Sequence, residues 1–113
     1  MNIQIYGKTK CFDTKKAERY FKERGVRFQS VDILKKGLSA GELRSVMQAV
    51  GGLDALIDTE SAAYQSSFIA HLASKEAKEE KLMDVPALYR TPIVRNGRQA
   101  TVGYAPETWV KWE

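Results

Sequence analysis

Cys11 is the only cysteine of this 113-residue chain, and it stands where a side chain most readily does chemistry. A short apolar run and a glycine precede it, and a segment of helical periodicity follows. A helix start presents N–H groups without intrahelical partners and the positive end of the macrodipole, and both favour an anion. A thiol held there ionises more readily, and the thiolate is the nucleophilic form. Thr14 lies one helical turn on, where its hydroxyl can reach the sulfur, so Cys11 and Thr14 are the candidate catalytic residues. Lys8, Lys10, Lys15 and Lys16 add positive charge close by, and Lys10 and Lys15 are the candidates to stabilise a thiolate or bind a substrate. A solitary cysteine is also, commonly, just a small buried hydrophobe. Cys-x-x-Thr by itself is a weak motif. It lacks the second sulfur of Cys-x-x-Cys, so no disulfide can close within the chain.

The elements around this group follow from periodicity and turn chemistry. Asn2 to Tyr6 alternates polar and apolar residues, which predicts a half-buried strand leading into a glycine-containing loop. The segment from Cys11 to about Arg24 carries Ala17, Tyr20 and Phe21 at helical spacing, with Gly25 as its stop. Arg27 to Ile33 alternates around Phe28, Val31 and Ile33, giving a second strand and hence a parallel βαβ unit. Lys35-Lys36-Gly37 reads as a turn. Ser39 and Glu42 form a capping box before a helix with Leu43, Val46, Met47 and Val50 on one stripe, ended by Gly51-Gly52. Leu53 to Ile57 and Thr59 to His71 read as helical. Ser74 caps a charged helix, Lys75 to Met83, and Pro86 limits it. Thr91–Arg95 and Arg98–Tyr104 are strands around Asn96-Gly97, a strong hairpin signal. Pro106 opens a last helix that turns Trp109 and Val110 inward.

Composition bounds the rest. Hydrophobic residues make up 43% and charged residues 28%, as in ordinary soluble proteins. One cysteine excludes a disulfide framework and suits a reducing cytoplasm. Met1 leads straight into a strand, so no signal peptide is expected, and no apolar run is long enough for a membrane span. The net charge is +4, and residues 1–36 hold ten Lys/Arg against four acids. No aromatic–basic interleaving accompanies this excess, so it reads as a solvated helix surface rather than a nucleic-acid site. His71 has no second ligand nearby and is expected to be structural or solvent-facing, and no zinc site is expected. Trp109 and Trp112 read as core and rim. Gly-rich phosphate loops and serine-nucleophile elbows are absent from the sequence.

The order of elements is that of a thioredoxin/glutaredoxin-like α/β fold, one domain over residues 1–113. It predicts a mixed, about four-stranded sheet, with a helical insertion at about 38–89 between the βαβ unit and the hairpin. Ile5-Tyr6-Gly7 through Cys11 to Lys15-Lys16-Ala17 resembles the N-terminus of the arsenate reductase (ArsC)/Spx family. Pro92-Ile93-Val94 with Val102-Gly103-Tyr104 resembles it too, at the family's spacing. The resemblance implies that Cys11 is the redox cysteine. It also implies that Thr91-Pro92 carries a cis proline facing the thiol, so that Thr91 and Pro92 contribute to substrate binding. Arsenate reductases of the family surround the oxyanion with arginines. The matching regions here read Asp58-Thr59-Glu60, Thr91 and Val102-Gly103-Tyr104, so arsenate is not the expected substrate. Spx-type members bind the α subunit of RNA polymerase, commonly under a Cys-x-x-Cys switch that Thr14 removes here. The Val-Gly-Tyr ending is Spx-like, and Gly51-Gly52 falls in the insertion where such contacts form. The expected function is therefore a small cytoplasmic thiol oxidoreductase resolved by an external thiol. Glutathione or a partner's cysteine would serve, with no tightly bound cofactor. The alternative is a regulator binding the polymerase α subunit without an internal switch. Direct nucleic-acid or membrane binding is not expected.

Overall fold

Alternating apolar residues build a four-stranded mixed sheet in the computed structural model, which describes residues 1–112. Its strands are β1 (Ile3–Gly7), β2 (Phe28–Asp32), β3 (Ile93–Asn96) and β4 (Gln99–Val102), in the order β2-β1-β3-β4. β1 runs parallel to β2 and antiparallel to β3, and β4 returns antiparallel along β3. The two-residue period of a strand sends Ile3, Ile5 and Val94 into one core and Tyr6 and Ile93 into the other. The first core is closed by α1 (Phe12–Glu23), through Ala17 and Phe21, and by α6 (Pro106–Trp109), through Trp109. The Trp109 indole N–H donates to Thr101 Oγ1 at 2.8 Å, so the ring is buried without stranding its polar edge.

The second core is covered by the block between β2 and β3. This holds α2 (Ile33–Lys36), α3 (Ala40–Val50), α4 (Ala62–Ser67) and α5 (Lys75–Asp84), with single 3-10 turns at Asp54–Leu56, Ile69–His71 and Pro86–Leu88. The capping box of α3 forms: Ser39 Oγ accepts from the Glu42 N–H, and Glu42 accepts from the Ser39 N–H. The other Glu42 oxygen accepts from the Tyr6 hydroxyl at 3.0 Å and lies 3.5 Å from Arg95. One residue thus starts the helix and fastens it to the sheet. Ser39→Ala should cost about 1 kcal/mol, read as a lower urea midpoint at unchanged slope.

Several expectations shift. Ile33 does not end β2; it opens α2, because the Asp32 carboxylate caps the Leu34 N–H and turns the chain. Thr59–His71 is not one helix: Phe68, at φ 57°, breaks it into α4 and a 3-10 turn. The hairpin loop is Gly97-Arg98, since Asn96 pairs with Gln99 and only Gly97 takes a positive φ, 62°. Val110 is exposed, because α6 gives way to a 3-10 turn after Trp109. No helix among the described residues is long and apolar enough to cross a membrane.

Candidate active site

β1 ends at Gly7, and Cys11 is the N-cap residue of α1, with extended backbone (φ −88°, ψ 116°). Its N–H is tied to the Lys8 carbonyl at 3.0 Å, and its own carbonyl receives the Lys15 N–H, so the sulfur sits at the mouth of the helix. The thiol is half-buried, and it donates to the Thr91 carbonyl at 3.6 Å. The Thr91-Pro92 bond is cis, and Pro92 is buried, its carbonyl held by the Gly103 N–H at 2.8 Å. Residues 80 apart in sequence therefore meet at one sulfur.

Burial pushes the Cys11 thiol up. The hydroxyls of Thr14 and Thr91 and the N–H groups of Thr14 and Asp13 more than offset it, and the thiol lies below its ordinary value. Thr14 is itself 7% exposed, wedged beneath the loop with its Oγ1 accepting from the Lys8 N–H at 3.4 Å. The lysines act otherwise than their sequence proximity suggests. Lys10 and Lys15 are exposed, and the groups that shift the thiol most are hydroxyls and amides. Lys8 turns away to donate to the carbonyls of Ala87 and Tyr89 at 3.0 and 2.9 Å. Phe12, next to Cys11, is 79% exposed. A groove of about 390 Å³ borders Gly7, Thr14, Lys15 and Glu18 but not Cys11.

Among the described residues no arginine is hydrogen-bonded to the Cys11 sulfur. Arg95 is committed to Glu42 on the opposite core, and Arg98 lies in the hairpin turn, beyond the far end of β3 from Pro92. Arg90 is exposed, and its N–H goes to the Leu56 carbonyl. His71 is exposed, near Phe68. Among the described residues no group of three or more His, Cys, Asp or Glu could hold a metal ion.

One further buried group bears on the second core. Tyr89 is fully buried, and its hydroxyl has no hydrogen-bond partner among the described residues; burial and the nearby Glu42 charge hold its ionisation far above the usual range. A buried hydroxyl without a partner costs about 1–3 kcal/mol in lost hydration. Tyr89→Phe should leave stability unchanged or raise it by about 1 kcal/mol. The gain should grow above pH 10, where the unfolded tyrosine ionises and the folded one does not. Urea titrations at neutral and alkaline pH would check both.

Residues 6–112 match the model of the ArsC family. The chain is 30% identical over 109 residues to the global transcriptional regulator Spx 2 of Oceanobacillus iheyensis, an alignment spanning 92% of this chain and 78% of that protein. Among solved structures, an ArsC family related protein from Bacteroides fragilis superposes with a TM-score of 0.88 at 20% identity, covering 100% of this chain and 98% of that one. Arsenate reductase from Vibrio cholerae gives 0.86 at 24% identity, covering 98% and 97%. At these identities the two structural likenesses speak for the fold.

Proposed function

The chain belongs to the ArsC family, and from that premise we propose that it is a thiol oxidoreductase working through Cys11 alone. The observation that carries this reading is the placement of the sulfur: half-exposed at the start of α1, facing the Thr91 carbonyl, with two hydroxyls and two amides favouring its anion. Such a thiolate attacks one sulfur of a disulfide in line. The new bond joins Cys11 Sγ to that sulfur, the old S–S bond breaks, and the leaving thiolate takes a proton from solvent. An external thiolate, glutathione or a partner protein's cysteine, then attacks the outer sulfur of the mixed disulfide. Its electron pair makes the outgoing disulfide, and Cys11 leaves as thiolate. Each cycle thus takes in one external thiol and one disulfide and returns one thiol and one new disulfide, an exchange that needs no cofactor. Arsenate fits poorly, for want of fixed guanidinium donors at the sulfur.

The test is a glutathione-coupled assay on a small mixed disulfide, alongside alkylation of Cys11 as a function of pH. Turnover and a midpoint below about 8.5 support the reading. An ordinary midpoint with no turnover overturns it. A second reading has an observation of its own, the Spx relative: a regulator that binds the polymerase α subunit without an internal switch. Capture of the α C-terminal domain that survives Cys11→Ser, with no thiol transfer, would favour it.

A further inference from the structure

Lys8 sits between β1 and α1, in the loop that delivers the nucleophile, yet its ammonium reaches 79 and 81 residues along the chain to the carbonyls of Ala87 and Tyr89. Both bonds are short, 3.0 and 2.9 Å, and both end on backbone. The segment they hold is pinned from its other side. Ile57 and Tyr89 form a β-bridge, the Asp58 N–H donates to the Leu88 carbonyl, and the Arg90 N–H donates to the Leu56 carbonyl, each at 2.8 Å. Two residues past Tyr89, Thr91 supplies the carbonyl that meets the thiol.

The backbone of Lys8 is fixed to the nucleophile with equal economy. Its carbonyl receives the Cys11 N–H, and its N–H donates to Thr14 Oγ1, the hydroxyl that also serves the sulfur. One residue therefore grips both walls of the site, the Cys11–Thr14 wall with its backbone and the Thr91 wall with its side chain.

We infer that Lys8 is a positioning residue: its ammonium straps the Cys11 loop to the 87–89 backbone and thereby sets the gap between the Cys11 sulfur and Thr91. The inference rests on the thiol-exchange reading of Cys11. It gives Lys8 a mechanical part, distinct from that of a free positive charge near an anion. A free charge on a flexible stem would be solvated and screened, whereas a half-buried ammonium shared by two carbonyls is fixed. Charge-assisted bonds of this kind are about twice as strong as neutral ones, which suits a strap between two segments that sequence alone does not join.

Lys8→Met keeps the apolar stem and removes both bonds. Alkylation of Cys11 at neutral pH should slow roughly three- to tenfold, with its pH midpoint moved upward, while far-ultraviolet circular dichroism stays native. Lys8→Gln, which can still donate to a carbonyl, should fall between the two. The native midpoint should hardly respond to salt, because a strap is not screened as a loose charge is. A folded Lys8→Met protein with the native midpoint overturns the inference, and so does a native midpoint that rises with salt as far as the variant's. If Lys8→Met does not fold, the Lys8→Gln midpoint decides between these outcomes. An ordinary midpoint in the native protein would instead sink the thiol-exchange reading itself, so the two failures are told apart.

Discussion

Cys11→Ser should lose the proposed thiol–disulfide exchange by more than about a thousandfold, while its circular dichroism and elution volume should remain native. The serine oxygen stays protonated at any working pH, so the nucleophile is gone. Its hydroxyl can still donate to the Thr91 carbonyl, as the thiol does at 3.6 Å, so the loop keeps its anchor. The same variant tests the thiol's acidity through stability. The folded thiol ionises below its ordinary value, so between that point and about pH 8.5, the unfolded value, the unfolded chain carries a proton that the folded chain has released. Stability then rises with pH across this window, levels above it, and is lost again as pH falls through the folded value. Urea midpoints of the native and serine proteins should therefore diverge as pH rises from the folded value toward about 8.5. A difference that stays constant with pH would mean that the thiol is not depressed in the fold.

Gly7→Ala is the largest expected structural loss from adding a single methyl group. A Cβ there would overlap the Thr14 side chain, inside van der Waals contact with its methyl carbon and 2.7 Å from Oγ1. Thr14 is buried at the base of α1 and cannot swing into solvent. Overpacking of this kind costs about 1–3 kcal/mol, and more where neither wall yields. Either the chain loses that stability, or Thr14 moves away from the sulfur and the Cys11 midpoint rises. Denaturant unfolding and alkylation on the same sample would show which. No change in either would mean that β1 and α1 are further apart than the structure has them.

Gly7 also shows what could and could not be read beforehand. Its place before Cys11 was legible, but as part of the loop that follows the strand Asn2 to Tyr6. In the structure it is the last residue of β1, paired with Asp32, and what it supplies is absence of a side chain against Thr14. The frame of the molecule was legible because its signals are local. Strand alternation, the Ser39–Glu42 box and the Gly97 turn each need only a few neighbouring residues. Two local breaks in the chain escaped the reading. Nothing near Phe68 resembles a helix stop, yet that residue adopts the left-handed conformation and splits the segment. Ile33 continues an apolar alternation, yet the carboxylate of Asp32 turns it into the start of a helix.

The site divides in the same way. Cys11 and Thr14 share one turn of α1, so spacing was enough to pair them. Thr91 and Pro92 came into view through family resemblance, since no local rule joins residues 80 apart. The lysines were counted as a cloud of charge, whereas each has its own geometry. Lys10 and Lys15 lie in solvent, and Lys8 holds backbone on the other side of the cleft.

A chain with one thiol cannot store its oxidation as an internal disulfide. Where two cysteines share a chain, the second closes on the first at an internal concentration fixed by the fold, whatever surrounds the molecule. On the thiol-exchange proposal, an adduct formed on Cys11, the lone cysteine, would persist until a collision ends it, so its lifetime would be inversely proportional to the thiol in the surrounding medium. Occupancy of such an adduct would then follow that reservoir and be reset by every change in it.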